Sequence, residues 1–219
     1  MGAGNISGRY VQGLRRRFPQ LEVRRIADVD LGRAEALASR FAVPFHGAVD
    51  DLLADDGVDV VVNLTPPVLH AQTVIEALSA GKHVYVEKPL ATSLDDGRQM
   101  METARRHGVL LGSAPDTFLG SAGQTARHAI DSGIIGEPIA ASAFVRSSRA
   151  EAWHPDPRFL FLPGGGPVMD MGPYYISALV NCLGPIARVS ADSRIGARTR
   201  PMTAEGRVAD FLEVTVAPP

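Results

Sequence analysis

Cysteine is almost absent from this chain of 219 residues, and features that mark several protein classes are missing as well. The single cysteine, Cys182, excludes an internal disulfide framework and suits a reducing cytoplasm. The histidines form no His-x3-His pair and no Cys-x2-Cys occurs, so we expect no zinc or other metal site. No signal peptide is visible, and no apolar stretch is long enough to cross a membrane. A net charge of -2 would draw the chain neither to nucleic acid nor to an anionic membrane.

Helix and strand patterns alternate along the first half of the chain. Helical spacing covers residues 6–18, 31–41, 67–80, 94–107 and 121–132, and strands are predicted at 21–27, 58–64, 83–86 and 109–112. This alternation is typical of a parallel, doubly wound α/β sheet. Beyond Gly133, strands predicted at 139–146, 186–194 and 211–216 indicate the start of an α+β domain. We therefore divide the chain into residues 1–115 and 116–219.

A glycine-rich segment stands at the start of the first predicted helix. The sequence Gly2-Ala3-Gly4-Asn5-Ile6-Ser7 matches the pattern G-x-G-x-x-[small]. Glycines at these positions let the backbone approach a pyrophosphate, whose charge is favoured by the N-terminus of the helix. We therefore predict that Gly2, Gly4, Asn5 and Ile6 bind a dinucleotide.

Asp28 closes the predicted strand 21–27, at the distance from the glycines where this fingerprint has an acid for the ribose hydroxyls. The plain alternative is a helix N-cap or a loop acid. An acid at this position disfavours a 2′-phosphate, so NAD is the predicted cofactor. Three arginines in the vicinity leave NADP as the alternative: Arg24, Arg25 and Arg33.

The strand that should precede the glycine loop is missing, because only Met1 stands before Gly2. In a Rossmann sheet this strand is central and pairs with a neighbour on each side. Without it, two strands would lack a partner and backbone groups near the core would be unpaired. We expect a chain with a late start rather than an imperfect domain.

The predicted strand 83–86 ends abruptly in Glu87-Lys88-Pro89. A charged pair at the end of an apolar strand costs desolvation free energy unless it has partners or a function. In open α/β sheets, ligands bind at this end of the strands. We therefore predict that Lys88 points into a crevice, the alternative being a surface lysine. Glu87 either orients a cofactor or forms an ion pair with Lys88.

Two further blocks accompany the 80–91 block AGKHVYVEKPLA: NLTPPVLH at 63–70 and GGGPVMDMGPY at 164–174. In this order and spacing, the chain resembles the Gfo/Idh/MocA oxidoreductase family over essentially its whole length. The resemblance implies an NAD(P)-binding Rossmann domain followed by a domain with a mostly antiparallel sheet, which often forms the oligomer interface. Members commonly oxidise a secondary alcohol of a sugar or cyclitol, or run the reverse reduction. Members are also longer, so we expect part of the second sheet to be missing.

The resemblance also implies a catalytic set. Lys88 corresponds to the family lysine beside the nicotinamide and the reacting oxygen, and Asp170 to the acid of an Asp-x-x-x-His motif. Tyr174 stands at the histidine position, a departure that some members share. The unperturbed pKa of a tyrosine is about 10, which is too high for an efficient base at neutral pH. A lysine cation nearby lowers this pKa. Asp170 and Tyr174 are four residues apart and would share one face of a helix, although Asp170 as an N-cap is the alternative.

The block 63–70 supplies the other predicted cofactor contacts. Thr65, Pro66 and Pro67 are expected to form a wall beside the nicotinamide ribose and the pyrophosphate, although a plain strand-to-helix turn explains them equally well. We group His70 with these cofactor-binding residues and interpret it as a packed helix residue rather than a catalyst.

The sequence thus predicts a nicotinamide-dependent oxidoreductase that forms homo-oligomers and acts on a small carbohydrate or polyol. One alternative is an NADP-dependent reductase that holds its cofactor tightly. Another is a catalytically silent NAD(P)-binding sensor or regulatory protein. In the loop WHPDP, Trp153 and His154 are either substrate contacts, since aromatic rings stack on sugar faces, or simple anchors of the loop.

Overall fold

The computed structural model of the protein describes residues 1–146, 157–161, 164–194, 199–202 and 210–213. The chain divides into two compact units, Met1–Ala114 and Pro115–Pro219. The helices are α1 (Ser7–Arg17), α2 (Leu31–Arg40), α3 (Val49–Leu53), α4 (His70–Ser79), α5 (Leu94–His107), α6 (Ser121–Asp131), α7 (Gly166–Asp170) and α8 (Gly172–Leu183). The strands are β1 (Arg25–Ala27), β2 (Phe45–Gly47), β3 (Val60–Asn63), β4 (His83–Val86), β5 (Leu111–Ser113), β6 (Thr199–Met202) and β7 (Asp210–Glu213).

The first unit is a parallel α/β fold, as the sequence predicts. Strands β1 and β2 pair in parallel, and β3, β4 and β5 form a second parallel sheet in that order. The core beneath helices α4 and α5 contains fully buried side chains from both strands and helices: Val61, Val74, Leu78, Val86 and Met100. The apolar runs of β3 and β4 are typical of strands that are covered by helices on both faces.

Met1 and Gly2 link the two sheets. The Met1 amino group donates to the carbonyl oxygen of Val62 at 2.8 Å, and Gly2 N–H donates to that of Ala27 at 2.8 Å. In the described sheets, β1 pairs with β2 alone and β3 with β4 alone. The two edges face a cavity of about 380 Å³ with mostly apolar walls. Two strands therefore lack a common neighbour, as the sequence predicts.

Local signals explain why helix α5 has the predicted bounds. The Ser93 hydroxyl oxygen accepts a hydrogen bond from Asp96 N–H at 3.1 Å, which caps the first turn. Gly108, with a φ of 66°, ends the helix in the left-handed conformation that glycine adopts without strain. Strand β4 also matches its prediction, residue for residue.

Several predicted strands are shorter or absent. The prediction at 21–27 is reduced to Arg25–Ala27, and short β2 and α3 were not predicted. Residues 139–146 and 186–194 form no strand, which corrects both predictions. Their apolar residues give strand-like patterns, but a strand is stable only beside a hydrogen-bonded partner. In the described part of the second unit, the only paired strands are β6 and β7, which run antiparallel.

Asp55 connects the start of β1 to the residue that precedes β4 in the first unit. Its side chain is 8% exposed, and its carboxylate accepts hydrogen bonds from Arg24 and Arg25 at 3.0 and 3.1 Å. Burial alone would raise the pKa of Asp55, but hydrogen bonds from Gly57 N–H and from both arginines outweigh burial and lower it. The Lys82 ammonium donates to the Asp55 carbonyl oxygen at 2.9 Å.

We expect Asp55→Asn to lower the melting temperature by several degrees at neutral pH, because the arginines lose their charged acceptor. The folded-state pKa of Asp55 is lowered, so its stabilising effect is complete above the unfolded-state pKa of about 3.9. The effect is lost as the pH falls through the lower, folded-state pKa. Thermal unfolding of both proteins across this range should therefore show the difference shrinking in acid. Asp56→Asn, at an exposed neighbour, should cause little change at any pH.

Most of the regular secondary structure in the described residues of the second unit is helical. The Arg127 guanidinium of α6 donates to the carbonyl oxygens of Asn181 and Cys182 at 2.6 and 3.3 Å, at the C-terminal end of α8. It also binds the Asp131 carboxylate, and this hydrogen bond raises the pKa of Arg127. A cation at this end of a helix satisfies carbonyl groups that lack partners within the helix.

Candidate functional site

The glycine loop lies at the carboxyl ends of β1 and β3. Gly2 has a φ of 88°, and a Cβ atom there would lie 2.8 Å from the carbonyl carbon of Leu64. Leu64 N–H donates to the Met1 carbonyl oxygen at 2.9 Å, so the loop and the chain after β3 are in direct contact. Only glycine suits both the conformation and the close approach at position 2.

Gly4, Asn5 and Ile6 are exposed and lead directly into α1. A Cβ atom at Gly4 would meet nothing within 4 Å. Among the described residues, no acceptor lies on the backbone N–H groups of these three positions. The buried Ser7 hydroxyl, at the third glycine position of the fingerprint, donates to the Gly4 carbonyl oxygen at 2.5 Å. Open backbone donors at a helix N-terminus fit an anion such as a diphosphate.

Asp28 follows β1 beside this loop. One carboxylate oxygen accepts from Ala3 N–H at 2.6 Å, and the other accepts from Asp30 N–H at 2.9 Å. The N-cap of α2 is Asp30, whose carboxylate accepts from Arg33 N–H at 3.2 Å. Asp28 is therefore not the helix N-cap that the sequence offered as an alternative. Each oxygen of Asp28 retains a lone pair that can accept from a ribose hydroxyl.

The buried Met1 ammonium beside the loop has a shifted pKa. Desolvation lowers the pKa of the Met1 ammonium to about 6, against an opposing effect of the Asp28 carboxylate, which raises it.

Asn63 organises the turn that contains Thr65. Its side chain is completely buried at the end of β3. The amide oxygen accepts from Thr65 N–H at 3.0 Å and from the Thr65 hydroxyl at 2.7 Å, while the amide nitrogen donates to the Thr73 hydroxyl at 2.7 Å. Pro66 and Pro67 follow, and a 3-10 turn, Pro67–Leu69, leads into α4. This role of Asn63 was not predicted from the sequence, although a polar residue at the end of an apolar strand is a signal for it.

The turn after β4 carries Lys88, which is half-buried. The Glu87 carboxylate accepts from the Tyr10 hydroxyl at 2.6 Å and from Lys88 N–H at 2.8 Å. The Lys88-Pro89 peptide bond is cis. Tyr10 lies on α1, so Glu87 connects the helix after the glycine loop to the turn that carries Lys88. Sequence reasoning missed Tyr10, because nothing in a helical pattern indicates a partner 77 residues away.

His70 connects the two turns. Its ring is completely buried and contacts the carbonyl oxygens of Pro89 and Thr65 through its two nitrogens. Together with the contacts above, one continuous set of hydrogen bonds joins the glycine loop, Asp28, the Thr65 turn and the Lys88 turn. This edge of the first unit offers backbone donors for a diphosphate and a carboxylate for a ribose. These are the groups that a nicotinamide dinucleotide requires.

The two other predicted catalytic residues belong to the second unit. Asp170 is the last residue of α7 and Tyr174 lies in the first turn of α8, with Met171 between the two helices. The expectation of one continuous helix face is therefore wrong. Pro173, which lacks an N–H group, suits the first turn of a new helix rather than a helix interior. The predicted substrate contacts Trp153 and His154 lie outside the described residues.

The described residues contain neither a cluster of metal ligands nor a membrane-spanning helix. No three His, Cys, Asp or Glu side chains come together as a metal site would require. Within the same residues, no helix combines the length and the apolar character needed to cross a membrane.

Comparison with known proteins identifies both parts of the chain. Residues 1–114 match the family model described as an oxidoreductase family with an NAD-binding Rossmann fold, and residues 124–217 match the GFO/IDH/MocA C-terminal domain. The chain is 43% identical to 1,5-anhydro-D-fructose reductase of Ensifer adhaerens over 97 residues, which cover 44% of this chain and 29% of that protein. It is 29% identical over 166 residues to scyllo-inositol 2-dehydrogenase (NAD(+)) of Bacillus subtilis, covering 75% and 47% of the two chains.

A solved structure resembles almost the whole chain. The crystal structure of an NAD binding oxidoreductase from Klebsiella pneumoniae superimposes with a TM-score of 0.78 and 29% identity, covering 97% of this chain and 58% of that one. The chain spans less than half the length of either curated relative.

Proposed function

The chain belongs to the GFO/IDH/MocA oxidoreductase family, and from this premise we propose that it is a nicotinamide-dependent dehydrogenase or reductase of a sugar or cyclitol. The reacting group is a secondary alcohol or the corresponding ketone. The observation that carries the proposal is the hydrogen-bonded edge that joins the glycine loop, Asp28, the Thr65 turn and Lys88. One relative named above acts on an anhydro sugar and another on an inositol, which supports this class of substrate.

Within this proposal, the cofactor is NAD rather than NADP. The Asp28 carboxylate would accept hydrogen bonds from the adenosine ribose and would repel a 2′-phosphate. Of the three nearby arginines, Arg24 and Arg25 bind Asp55 and Arg33 pairs with Asp30 at 3.2 Å. These pairings leave the arginines in structural roles, so none of them offsets the charge of Asp28.

When bound, the nicotinamide gives or takes the hydride, and the protein positions the reactants and handles the proton. Gly4, Asn5 and Ile6 would hold the diphosphate through their open backbone N–H groups, Gly2 would allow the tight turn of the loop, and the Thr65 turn would lie beside the nicotinamide ribose. The Lys88 ammonium donates a hydrogen bond to the substrate oxygen. Tyr174 exchanges the proton with the substrate hydroxyl, and Asp170 orients the reacting groups. The role of Asp170 rests on its match to the family motif, and that of Tyr174 on its place at the histidine position of the motif, where some members also have another residue.

The proposal includes a homo-oligomer in the cytoplasm. Helix α8 exposes Ile176, Val180 and Leu183 on one face, which is the character of a surface that another chain covers. A single cysteine in 219 residues suits a reducing compartment.

Titration with NADH and NADPH tests the cofactor assignment. We expect the protein to bind NADH more tightly, and Asp28→Asn to reduce that preference by about tenfold or more, since one charged contact contributes roughly 1.4 kcal/mol or more. The amide keeps an oxygen acceptor for Ala3 N–H and loses only the contact with Asp30 N–H, so the loop should remain in place.

Asp59→Asn is the matched control, since it makes the same charge change at an exposed position before β3. It should leave the ratio of the two dissociation constants unchanged. A protein that prefers NADPH, or an Asp28→Asn variant with the original ratio, would contradict the role of Asp28. Tight NADH binding without turnover on a broad sugar and cyclitol panel would instead favour the silent sensor.

A further inference from the structure

His70 bridges the two turns that carry the proposed cofactor wall and the proposed catalytic lysine. It begins α4, and its side chain has 0% of its surface exposed. Nδ1 lies 2.7 Å from the carbonyl oxygen of Pro89, and Nε2 lies 2.8 Å from the carbonyl oxygen of Thr65. Both partners can only accept hydrogen bonds. A neutral ring donates to one of them, and a doubly protonated ring donates to both.

Other hydrogen bonds also hold each of the two turns. Asn63 binds both the N–H and the hydroxyl of Thr65, so the Thr65 turn has two anchors besides His70. On the Lys88 side, the Glu87 carboxylate binds Lys88 N–H, and His70 binds the carbonyl oxygen of the next residue, Pro89. His70 therefore holds the chain at the residue directly after Lys88.

We propose that His70 is a positioning residue, which fixes the location of Lys88 relative to the Thr65 turn by binding both carbonyl groups. The inference rests on the proposed function, because there Lys88 lies beside the reacting oxygen. His70 itself is completely buried, so it acts through Pro89 and Thr65 and does not touch the substrate.

A buried ring with two polar atoms costs desolvation free energy, and packing alone would be served better by an apolar side chain of the same size. Contact with the two carbonyl groups explains why a polar ring occupies this buried position. Removal of the ring nitrogens breaks this link between the Pro89 and Thr65 carbonyl groups, and we expect the Lys88 turn to move relative to the Thr65 turn.

His70→Phe tests the bridge, since it keeps a ring and removes both ring nitrogens. Lys82 and Lys88 are the only lysines in the sequence, so protein grown with 13C-labelled lysine gives two assignable side-chain NMR signals. We expect the Lys88 signal to shift and that of Lys82 to stay in place. We also expect kcat to fall by about 10–100-fold, since small displacements of a catalytic group cost this much. The NADH dissociation constant should change by less than about threefold, because the Thr65 turn keeps its other anchors.

Val74→Ala is the control for a purely structural effect. Val74 is also fully buried, one turn further along α4, so its truncation destabilises the fold without touching either carbonyl group. It should leave the Lys88 signal and kcat unchanged. Should His70→Phe not fold, His70→Gln keeps one donor group and is expected to shift the Lys88 signal in a smaller degree.

Two results would overturn the proposal. One is a folded His70 variant with the Lys88 signal and kcat of the original protein, and the other is an equal shift in Val74→Ala. The NMR measurement does not depend on turnover. If the unmodified protein bound no nicotinamide and had no activity, the proposed function would fail. The Lys88 signal in the variants would still test the bridge between the two turns.

Discussion

Replacing Lys88 with methionine is expected to lower kcat by about 100- to 10,000-fold, the range for loss of a group that assists proton transfer. Methionine retains an unbranched apolar stem and removes only the ammonium group. Because the diphosphate and ribose contacts come from other residues, NADH should bind to the variant within about threefold of its original affinity. The measurement is steady-state turnover on the best substrate of a sugar and cyclitol panel, together with an NADH titration.

Lys82→Met provides the control from within the same β-strand region. The Lys82 side chain is 8% exposed and its ammonium binds the carbonyl oxygen of Asp55, at the other end of β4 from Lys88. We expect this variant to be less stable to heat and to keep its kcat. Turnover that survives Lys88→Met, or that falls equally in both variants, would remove Lys88 from the catalytic role.

The two lysines illustrate which parts of the structure the sequence can predict. Strand β4 and helix α5 have their predicted bounds, because short-range signals define both ends of each element. The carboxyl end of β4 then follows from the strand assignment, and so does the place of Lys88. Asp28 could be placed in the same way, as the residue directly after β1.

Contacts between distant parts of the chain were beyond such reasoning. The Tyr10 hydroxyl reaches Glu87 across 77 residues, and the two ring nitrogens of His70 reach carbonyl groups on different turns. The absence of the strands predicted at 139–146 and 186–194 has the same explanation. A strand depends on a hydrogen-bonded partner, which the local pattern does not contain. The polar side chains that support the site are therefore less predictable than the residues that form it.

Gly4→Val is expected to weaken NADH binding by about 100-fold or more, equivalent to roughly 2.7 kcal/mol, while leaving the fold intact. A Cβ atom at Gly4 meets no protein atom within 4 Å, and the backbone there does not have the left-handed φ that is recorded for Gly2. The added side chain would instead extend into the open space beside the loop, where the proposed diphosphate would lie. A loss of NADH affinity without a loss of stability, measured by calorimetric titration, would thus show that the diphosphate lies against Gly4.

Gly13→Val is the matched substitution, because a Cβ atom at Gly13 also meets nothing within 4 Å and the residue lies further along α1. Both variants should keep the original melting temperature, and only Gly4→Val should lose NADH affinity. Equal affinity in the two variants would show that the diphosphate does not lie against Gly4. The glycine loop would then be a structural turn, held by Gly2 against Leu64, and the dinucleotide would have to bind elsewhere on the first unit.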